Sequence, residues 1–378
     1  MRQGADMAVC GALRLGLVGP LPPPLGGMAN QTRQLARLLA SDAIEVHLVR
    51  TNEPYRPAWV AHVRGVRAFA RLLPYRRRLA AMSREVGVVH VMANSGWAWF
   101  LFAAPAIRAA VAQSVPVIVN YRGGLAREFL KRSAGRVLPM LRAASAVVVP
   151  SAYLRDIFTE YGVAVRIIPN IVDTTVFRSG VPARPVGHHV VVVRNLETIY
   201  GIDTAIRAVA ILRPSFPELV VSIAGSGPER AALERLSAQL GVSRTIRFTG
   251  RLEVEQVAAL YREADVALNP SRVDNAPNAL LEAAASGVPI VSTDAGGVPH
   301  LVQHGRSAWL VPTDDPERMA QGVACVLRDA ALRDTLRANA AALAAACSWP
   351  SVGRQWTDLY RSLALGNGDE RVRAAAEG

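Results

Sequence analysis

The sequence predicts an α/β protein built from two doubly wound parallel sheets. Short apolar runs of strand length alternate with segments of helical periodicity along the whole chain. The chain has 378 residues, of which 51% are hydrophobic, and this is more than one compact core usually holds. Because strands separated by helices are typical of parallel sheets covered on both faces, the pattern indicates two domains of this class.

Twelve apolar runs are predicted as strands, six in each half of the chain. Those of the first half are Leu13–Val18, Glu45–Val49, Val88–Met92, Pro116–Asn120, Ala146–Val149 and Arg166–Ile168. Those of the second half are Val190–Val193, Val220–Ala224, Ile246–Thr249, Val266–Asn269, Ile290–Ser292 and Trp309–Val311.

The segment Phe177–His189 is rich in Pro and Gly and is predicted to link the two domains. We therefore expect an N-terminal domain over 1–178, a C-terminal domain over 186–348, a last helix over 349–365 and a disordered tail over 366–378. Parallel sheets bind ligands beyond the carboxyl ends of their strands, so two facing sheets would form a cleft between the domains.

One strand-end loop in the second half has the chemistry of an anion site. A helix is predicted from Ala276 onward, with Asn275 as its N-cap and Pro277 in its first turn. The N–H groups of Asn278 and Ala279 would then point out of the helix start, where the helix dipole favours a phosphate.

Two carboxylates bracket that helix start. Asp274 precedes the helix and Glu282 lies about two turns inside it, so one ligand lying across this end could contact both. The alternative is that Asp274 only caps the helix and Glu282 is a solvated helix residue.

The segment that follows, Ala283–Gly297, reads as a helix end with a Gly cap, a strand and a Gly-rich turn. With the preceding loop it resembles the donor-site signature of family 4 glycosyltransferases. That resemblance implies the GT-B fold, with two Rossmann-like domains facing across a cleft, and a nucleotide-sugar donor. In that family two acidic residues eight positions apart bracket the donor. Glu282 matches the second and would hold the ribose hydroxyls, whereas Asp274 stands where the first is usually Glu and would hold sugar hydroxyls.

The same resemblance assigns the donor diphosphate to a second loop. Arg194 matches the family's arginine, and guanidinium suits phosphate oxygens. Tyr200 occupies the position of the usual Lys and brings no charge. Arg251 is our candidate for the missing cation.

Glycines in two further loops match donor contacts of the family. Gly26 and Gly27 end a proline-rich loop that would reach the donor phosphates through backbone N–H groups, and an ordinary rigid loop is the alternative. Gly225 belongs to a Gly-Ser-Gly-Pro-Glu turn that the family places near the nucleotide. As a dinucleotide fingerprint this turn fails, because Arg230 stands at its sixth position.

Arg122 stands where many family members have a His pointing at the transferred sugar. Since an arginine cannot act as a general base near neutral pH, we expect an electrostatic or acceptor-positioning role. The alternative is an exposed arginine in a turn.

The three cysteines, Cys10, Cys325 and Cys347, are far apart in sequence and predict neither a disulfide framework nor a metal cluster. The longest apolar candidate, Trp97–Ile107, is too short to span a membrane, and the N-terminus does not read as a signal peptide. We expect a cytoplasmic protein that needs no metal or other cofactor.

The net charge of +13 lies almost wholly in the first half, where residues 1–180 carry 23 Lys and Arg against 9 Asp and Glu. Much of it falls in Pro57–Glu85, read as a basic amphipathic helix broken near Pro74. Such a helix can contact an anionic membrane, and the alternative is the solvated face of a core helix. We expect no nucleic-acid binding, because no recognition motif accompanies the charge.

These expectations combine into a retaining, metal-independent glycosyltransferase. It would move a hexose-type sugar from a nucleotide sugar to a glycan or polyprenyl-linked glycan in polysaccharide biosynthesis, peripheral to the inner face of the plasma membrane. The alternatives are a nucleotide-sugar-binding protein without transfer activity, a GT-B epimerase and, disfavoured by the failed fingerprint, an NAD-dependent dehydrogenase. The donor sugar and its base do not follow from the sequence.

Overall fold

The computed structural model describes residues 13–23, 26–54, 66–180 and 188–376, with side chains except at 66–70 and 367–376. The chain divides into two compact units. The first comprises Met1–Pro150, Arg155–Ile168 and Gly353–Gly378, and the second comprises Ser151–Leu154 and Pro169–Val352.

The first unit is a six-stranded, all-parallel sheet in the order β2-β1-β3-β4-β5-β6. Its strands are β1 (Arg14–Gly19), β2 (Glu45–Arg50), β3 (Val88–Ala93), β4 (Val117–Tyr121), β5 (Ala146–Val149) and β6 (Arg166–Ile167). The helices of this half are α1 (Gly27–Ser41), α2 (Val66–Glu85), α3 (Ala104–Ala112), α4 (Ala126–Arg142) and α5 (Ala152–Glu160), with a π-helical turn at Trp99–Ala103 before α3.

The second unit holds a parallel sheet in the order β12-β11-β10-β7-β8-β9. Its strands are β7 (His189–Val193), β8 (Val220–Ala224), β9 (Ile246–Gly250), β10 (Val266–Asn269), β11 (Ile290–Thr293) and β12 (Trp309–Val311). Its helices are α6 (Ile202–Leu212), α7 (Arg230–Gln239), α8 (Val254–Arg262), α9 (Asn278–Ala285), α10 (Val298–Leu301), α11 (Pro316–Arg328) and α12 (Ala330–Ala346). The last helix, α13 (Trp349–Ala376), begins in this unit and continues in the first.

All twelve predicted strands are present, and their ends differ from the prediction by at most one residue. They are recognisable because β-branched residues dominate them and both sheet faces are covered, as in β3, which is buried along its whole length.

The boundary between the units falls after Ile168, earlier than the predicted boundary at 178. The reason is that the next residues are tied to the second unit. The N–H of Val172 donates to the carbonyl of Cys347 at 3.0 Å, and Asn170 hydrogen-bonds residues at the start of α9.

The predicted break near Pro74 is wrong, because α2 runs through it from Val66 to Glu85. One lost backbone hydrogen bond is tolerated here since Tyr75, Leu79 and Met82 anchor the following turns in the core. The predicted basic segment before 66 lies outside the described residues.

The last helix, α13, belongs to the first unit from Gly353 onward. Its Trp356 and Tyr360 pack on the buried His90 of β3, with the His90 and Trp356 rings 4.6 Å apart and the Tyr360 hydroxyl 2.7 Å from His90 Nδ1. Burial, and secondarily the charge of Arg122, lowers the pKa of His90 to about 3. In the structure α13 extends to Ala376. This differs from the sequence prediction of a disordered tail from Gly366.

Candidate active site

The order of the second sheet brings three strand-end loops together. β7 lies between β10 and β8, and all strands run parallel. The chain goes from β7 outward through β8 to one edge and then returns to β10 on the other side. Ligands bind doubly wound sheets at such a point, where the strand order reverses.

Arg194 directly follows β7 and connects the end of that strand to the end of β10 and to the loop after β10. Its Nε donates to Oδ1 of Asn269 at 2.8 Å, and its Nη2 donates to Oδ2 of Asp274 at 2.6 Å. The Arg194 and Asp274 side chains are only 11% and 12% exposed, so the pair is largely withdrawn from water. A guanidinium held this way is preorganised for an incoming anion.

A buried hydrogen-bond network beneath Arg194 was missed by the sequence analysis. Oδ1 of Asn269 also accepts from the Ser271 hydroxyl, and its Nδ2 donates to Ser292 at 2.9 Å. The Thr293 hydroxyl donates to the Ser271 carbonyl. The polar Asn-Pro-Ser ending of an otherwise apolar strand was the only signal in the sequence.

The start of α9 differs from the prediction. Asn275 is not the N-cap, because the helix begins at Asn278 and Pro277 occupies the N-cap position. The Asn275 side chain instead accepts a hydrogen bond from the Ser151 hydroxyl, so it is not available to cap. Asn170 donates to the carbonyl of Ala276 and to the side-chain oxygen of Asn278, both at 2.8 Å.

The anion-attracting end of α9 therefore lies at Asn278 and Ala279, as predicted. Among the described residues the Ala279 N–H has no backbone acceptor. Ala279 itself is half-buried, so part of it remains accessible to a ligand. The first turn contains no acidic residue that would oppose an anion.

Glu282 lies one turn further along α9 and is half-buried, so the alternative of a solvated helix residue is wrong. Burial raises the pKa of its carboxyl to about 7, while the charge of Arg194 acts in the opposite direction. No side-chain hydrogen bond satisfies this carboxylate within the described parts of the chain. A half-buried acceptor that no side chain of the described residues pairs is suited to a hydroxyl-bearing ligand.

Tyr200 lies in a 3-10 turn, Thr198–Tyr200, and faces Arg194. The Arg194 guanidinium carbon is 5.4 Å from the centre of the Tyr200 ring, within the range of a cation–π contact. Burial raises the pKa of the Tyr200 hydroxyl, so the side chain is neutral at physiological pH. The residue at the usual Lys position therefore supports the arginine instead of adding a second charge.

Gly225 has a packing role in the second unit, and Arg251 is an exposed residue after an edge strand. The Gly225 N–H already donates to the carbonyl of Gly250 at 2.8 Å, and a Cβ at 225 would overlap the Arg194 carbonyl oxygen. Gly225 thus lets the β8 loop pack under Arg194. Arg251 follows the edge strand β9, is exposed, and makes no ion pair with the described residues.

The turn Gly296–Gly297 after β11 packs under the other side of the Arg194–Asp274 pair. The Gly297 N–H donates to the Asp274 carbonyl at 3.0 Å, and Gly296 has φ +52°. A Cβ at 297 would overlap the carbonyl oxygen of Asn275. These glycines hold the loop that carries Asp274.

Replacing Gly297 with alanine is expected to displace that loop, because the new methyl group meets backbone and cannot be accommodated by a side-chain rotation. We expect a loss of stability of about 2 kcal/mol, with weaker binding of any ligand held by Asp274. Gly297 has φ −84°, so alanine adds no backbone strain there. Thermal unfolding of Gly297→Ala should be compared with that of Gly135→Ala, the matched control, because φ at 135 is not left-handed either and a Cβ there meets nothing within 4 Å. Equal losses in both variants would contradict the packing role.

In the first unit, Gly26 and Gly27 stand where α1 begins after β1. Gly26 is the N-cap of α1, no side chain caps that end, and a Cβ at 26 would meet nothing within 4 Å. The proline loop before it is held by Arg50, whose Nη2 donates to the carbonyls of Leu21, Pro22 and Pro23. This loop is therefore a rigid approach to the start of α1.

Arg122 follows β4 and is half-buried, so it is not the exposed turn arginine of the alternative. Its Nη2 donates to Oε1 of Gln31 on α1 at 3.2 Å, and burial lowers the pKa of the guanidinium to about 10. Gly123 fits against Ser95 and Asn94 in the loop after β3. Arg122 is therefore a fixed cation near the start of α1.

The described residues provide neither a metal-binding cluster nor a membrane-spanning helix. Within 13–23, 26–54, 66–180 and 188–376, no group of three or more His, Cys, Asp or Glu side chains is arranged to hold a metal ion. None of the helices in these ranges combines the length and the apolarity that crossing a bilayer requires.

Two family models match the chain. The model described as Glycosyltransferase Family 4 matches residues 25–176, and the model described as Glycosyl transferases group 1 matches residues 183–343. Together they cover both units.

Among curated relatives, the chain is 30% identical to the GDP-mannose-dependent alpha-(1-6)-phosphatidylinositol monomannoside mannosyltransferase of Mycobacterium tuberculosis over 301 residues, covering 73% of this chain and 76% of that protein. It is 34% identical to the D-inositol 3-phosphate glycosyltransferase of Corynebacterium urealyticum over 178 residues, covering 45% of this chain and 42% of the relative. The chain spans less than half the length of this and the other first relatives.

Solved structures show the fold. Sucrose-phosphate synthase from Thermosynechococcus elongatus matches with a TM-score of 0.74 at 19% identity, covering 94% of this chain and all of that chain. Anabaena HepE, solved with UDP and glucose, matches with a TM-score of 0.71 at 17% identity, covering 93% and 100%. The chain belongs to the group 1 glycosyl transferases, glycosyltransferase family 4, and has the GT-B fold that its sequence predicted.

Proposed function

We propose that this protein is a retaining glycosyltransferase that moves a hexose-type sugar from a nucleotide sugar to a glycan or polyprenyl-linked glycan, without a metal ion. The observation that carries the proposal is the cluster at the start of α9. There a cation, a helix start that no side chain caps and a carboxylate without a side-chain hydrogen bond among the described residues surround the end of β7.

Each group has a role in binding the donor. Arg194 and the N–H groups of Asn278 and Ala279 would bind the diphosphate, and Glu282 would accept hydrogen bonds from the ribose hydroxyls. Asp274 would hold hydroxyls of the transferred sugar. Tyr200 would keep Arg194 in place.

Breaking the glycosidic bond gives an oxocarbenium-like transition state and leaves negative charge on the departing diphosphate. Arg194 and the helix dipole would stabilise this charge without reorganising at the moment of reaction. The family pattern implies retention of configuration, with the leaving phosphate taking the proton of the acceptor hydroxyl. Arg122 would contribute charge or position the acceptor, because its guanidinium cannot serve as the base.

Relatives support a nucleotide-sugar donor but name different ones. The M. tuberculosis relative is named for GDP-mannose, and HepE was solved with UDP and glucose. Purified protein should be incubated with GDP-, UDP- and ADP-sugars while its unfolding temperature is measured, since a bound donor stabilises the fold by mass action. Release of nucleotide together with a glycosylated acceptor would establish transfer, and unchanged activity in EDTA would establish independence of metal.

The same assay separates the alternatives. Isomerised sugar after incubation of the donor alone would identify an epimerase. Donor binding without turnover on any acceptor would identify a non-transferring binding protein. Binding of nicotinamide nucleotides instead of nucleotide sugars would identify a dehydrogenase.

We further propose a cytoplasmic protein that contacts the inner face of the plasma membrane through basic residues of the first unit, as a lipid-linked acceptor would require. Support comes from α2, where Arg76, Arg77 and Arg84 are exposed beside Leu73, which is 54% exposed. The opposite face of α2 is buried in the unit, so the contact would be electrostatic rather than inserted.

We expect the protein to bind vesicles containing phosphatidylserine and to leave them as salt rises, because Debye screening weakens surface charge. Sedimentation with neutral and anionic vesicles measures this. Charge reversal at Arg76, Arg77 and Arg84 should abolish it, whereas reversal at the exposed Arg207 of the second unit should not. Equal binding to neutral vesicles would count against the contact.

A further inference from the structure

We propose that Arg272 is a positioning residue of the donor site, acting by holding the turn Thr198–Tyr200 so that the Tyr200 ring backs Arg194. Its effect on donor binding rests on the proposed function. Its structural part can be tested without a donor.

Arg272 connects the loop after β10 to three other segments of the second unit. Its Nη1 donates to the carbonyl of Thr198 at 2.7 Å, its Nη2 to Oδ2 of Asp203 at 2.8 Å, and its Nε to Oδ1 of Asp314 at 2.6 Å. Its backbone N–H also donates to the carbonyl of Ile199 at 2.9 Å. The Arg272 side chain thereby links the 3-10 turn, the start of α6 and the loop after β12, and we call its three hydrogen bonds the Arg272 clamp.

The chemistry of the clamp requires a guanidinium. Three nitrogens, fixed in one plane, each meet a different acceptor, and an ammonium group cannot reproduce this geometry. The two carboxylates neutralise the charge of Arg272, so in this conformation it is not a free cation for phosphate. The same contacts raise the pKa of Arg272 and lower that of Asp203.

The turn Thr198–Tyr200 that Arg272 holds is followed by a glycine that packs closely on the loop after β10. Gly201 has φ +58°, and a Cβ there would overlap the carbonyl oxygen of Pro270. Tyr200 immediately precedes this glycine and its ring lies under the Arg194 guanidinium. The Arg272 side chain holds the carbonyl of Thr198, whereas that of Ile199 is held by backbone N–H groups that a side-chain substitution leaves in place. The part of the position of the Tyr200 ring that depends on the side chain is therefore fixed through Thr198.

Hydrogen exchange tests the clamp directly. We expect Arg272→Gln to speed exchange of the amides of 198–203 by about tenfold or more, with Arg272→Lys giving only partial protection. Arg207→Gln is the matched control, since Arg207 is exposed on α6 and makes no ion pair with the described residues. Unchanged exchange in Arg272→Gln would overturn the proposal, whatever the protein binds.

A double-mutant cycle tests whether Arg272 acts through Tyr200. We expect Arg272→Gln to weaken donor binding about tenfold in the native background and less than about twofold when Tyr200 is already alanine. Equal losses in both backgrounds would overturn the proposal, because they would indicate a general structural effect. If the native protein binds no nucleotide sugar, the proposed function fails and the exchange experiment still decides the clamp.

Discussion

Replacing Arg194 with glutamine is expected to lower kcat/KM for the nucleotide sugar by about 10²–10³-fold. Arg194 is the cation that the structure places at the end of β7 beside the start of α9, while Tyr200 supplies no charge and Arg251 is exposed after the edge strand β9. Most of the charge that builds on the departing diphosphate would therefore lose its partner. Steady-state kinetics with the best donor of the panel measures the effect.

The loss must be separated from unfolding, because removing Arg194 leaves Asp274 without its ion-pair partner in a site shielded from water. Arg194→Lys keeps the charge without the forked geometry and should fall between the native protein and Arg194→Gln. Circular dichroism should show all variants folded at the assay temperature, and Arg207→Gln should retain native kinetics. A kcat/KM within about twofold of native in folded Arg194→Gln would refute its role in the reaction.

Replacing Glu282 with glutamine is expected to raise the KM for the donor by about 30–100-fold while kcat changes little. A carboxylate accepts hydrogen bonds from both ribose hydroxyls, whereas the amide offers one acceptor and a misplaced donor. Ribose binding is the same before and in the transition state, so its loss appears in KM. Initial rates over a range of donor concentrations separate the two constants, with Glu255→Gln, an exposed residue of α8, as the control.

The raised pKa of Glu282 gives this prediction a pH signature. Since its carboxyl titrates near pH 7, donor affinity should rise as the pH passes upward through 7 and the carboxylate forms. Glu282→Gln should flatten this rise. A rise of the same size in the variant would assign the titration to another group.

Protein stability should respond in the opposite sense. Between about pH 4.5 and 7 the folded protein holds the Glu282 proton while the unfolded chain has released it, so the folded state binds more protons. Stability therefore falls as pH rises through this window, by up to about 3 kcal/mol from this group. Denaturant unfolding at several pH values should show the fall in the native protein and a smaller one in Glu282→Gln.

Local sequence patterns predicted a large part of the fold. The strands were identifiable as short β-branched runs, because both faces of each sheet are covered. Strands in such sheets are apolar along nearly their whole length. The position of the loop after β10 followed from an apolar run ending in polar residues before a helix. The predicted start of that helix, Ala276, was two residues too early, since the Asn275 side chain is hydrogen-bonded to Ser151, a residue far away in sequence.

The family resemblance predicted that Arg194, Asp274 and Glu282 belong to one site, and the contact of Arg194 with Asp274 depends on strand order. β7 and β10 are neighbours although three helices and two strands separate them in the chain. Arg272 went unnoticed because its partners, Asp203 and Asp314, lie far away in sequence on both sides. Gly225 was assigned to the ligand because a glycine pattern does not show whether the space beside it holds a phosphate or the chain itself.

The sequence by itself determined the alternation of strands and helices, the family, and the residue types at the end of β7 and the start of α9, because these depend on neighbours within a few positions. Only the tertiary structure decided which side chains meet. It placed Tyr200 against Arg194, paired Arg272 with two carboxylates, and partly buried Glu282, since burial and pairing arise from segments brought together by sheet order rather than by proximity in the chain.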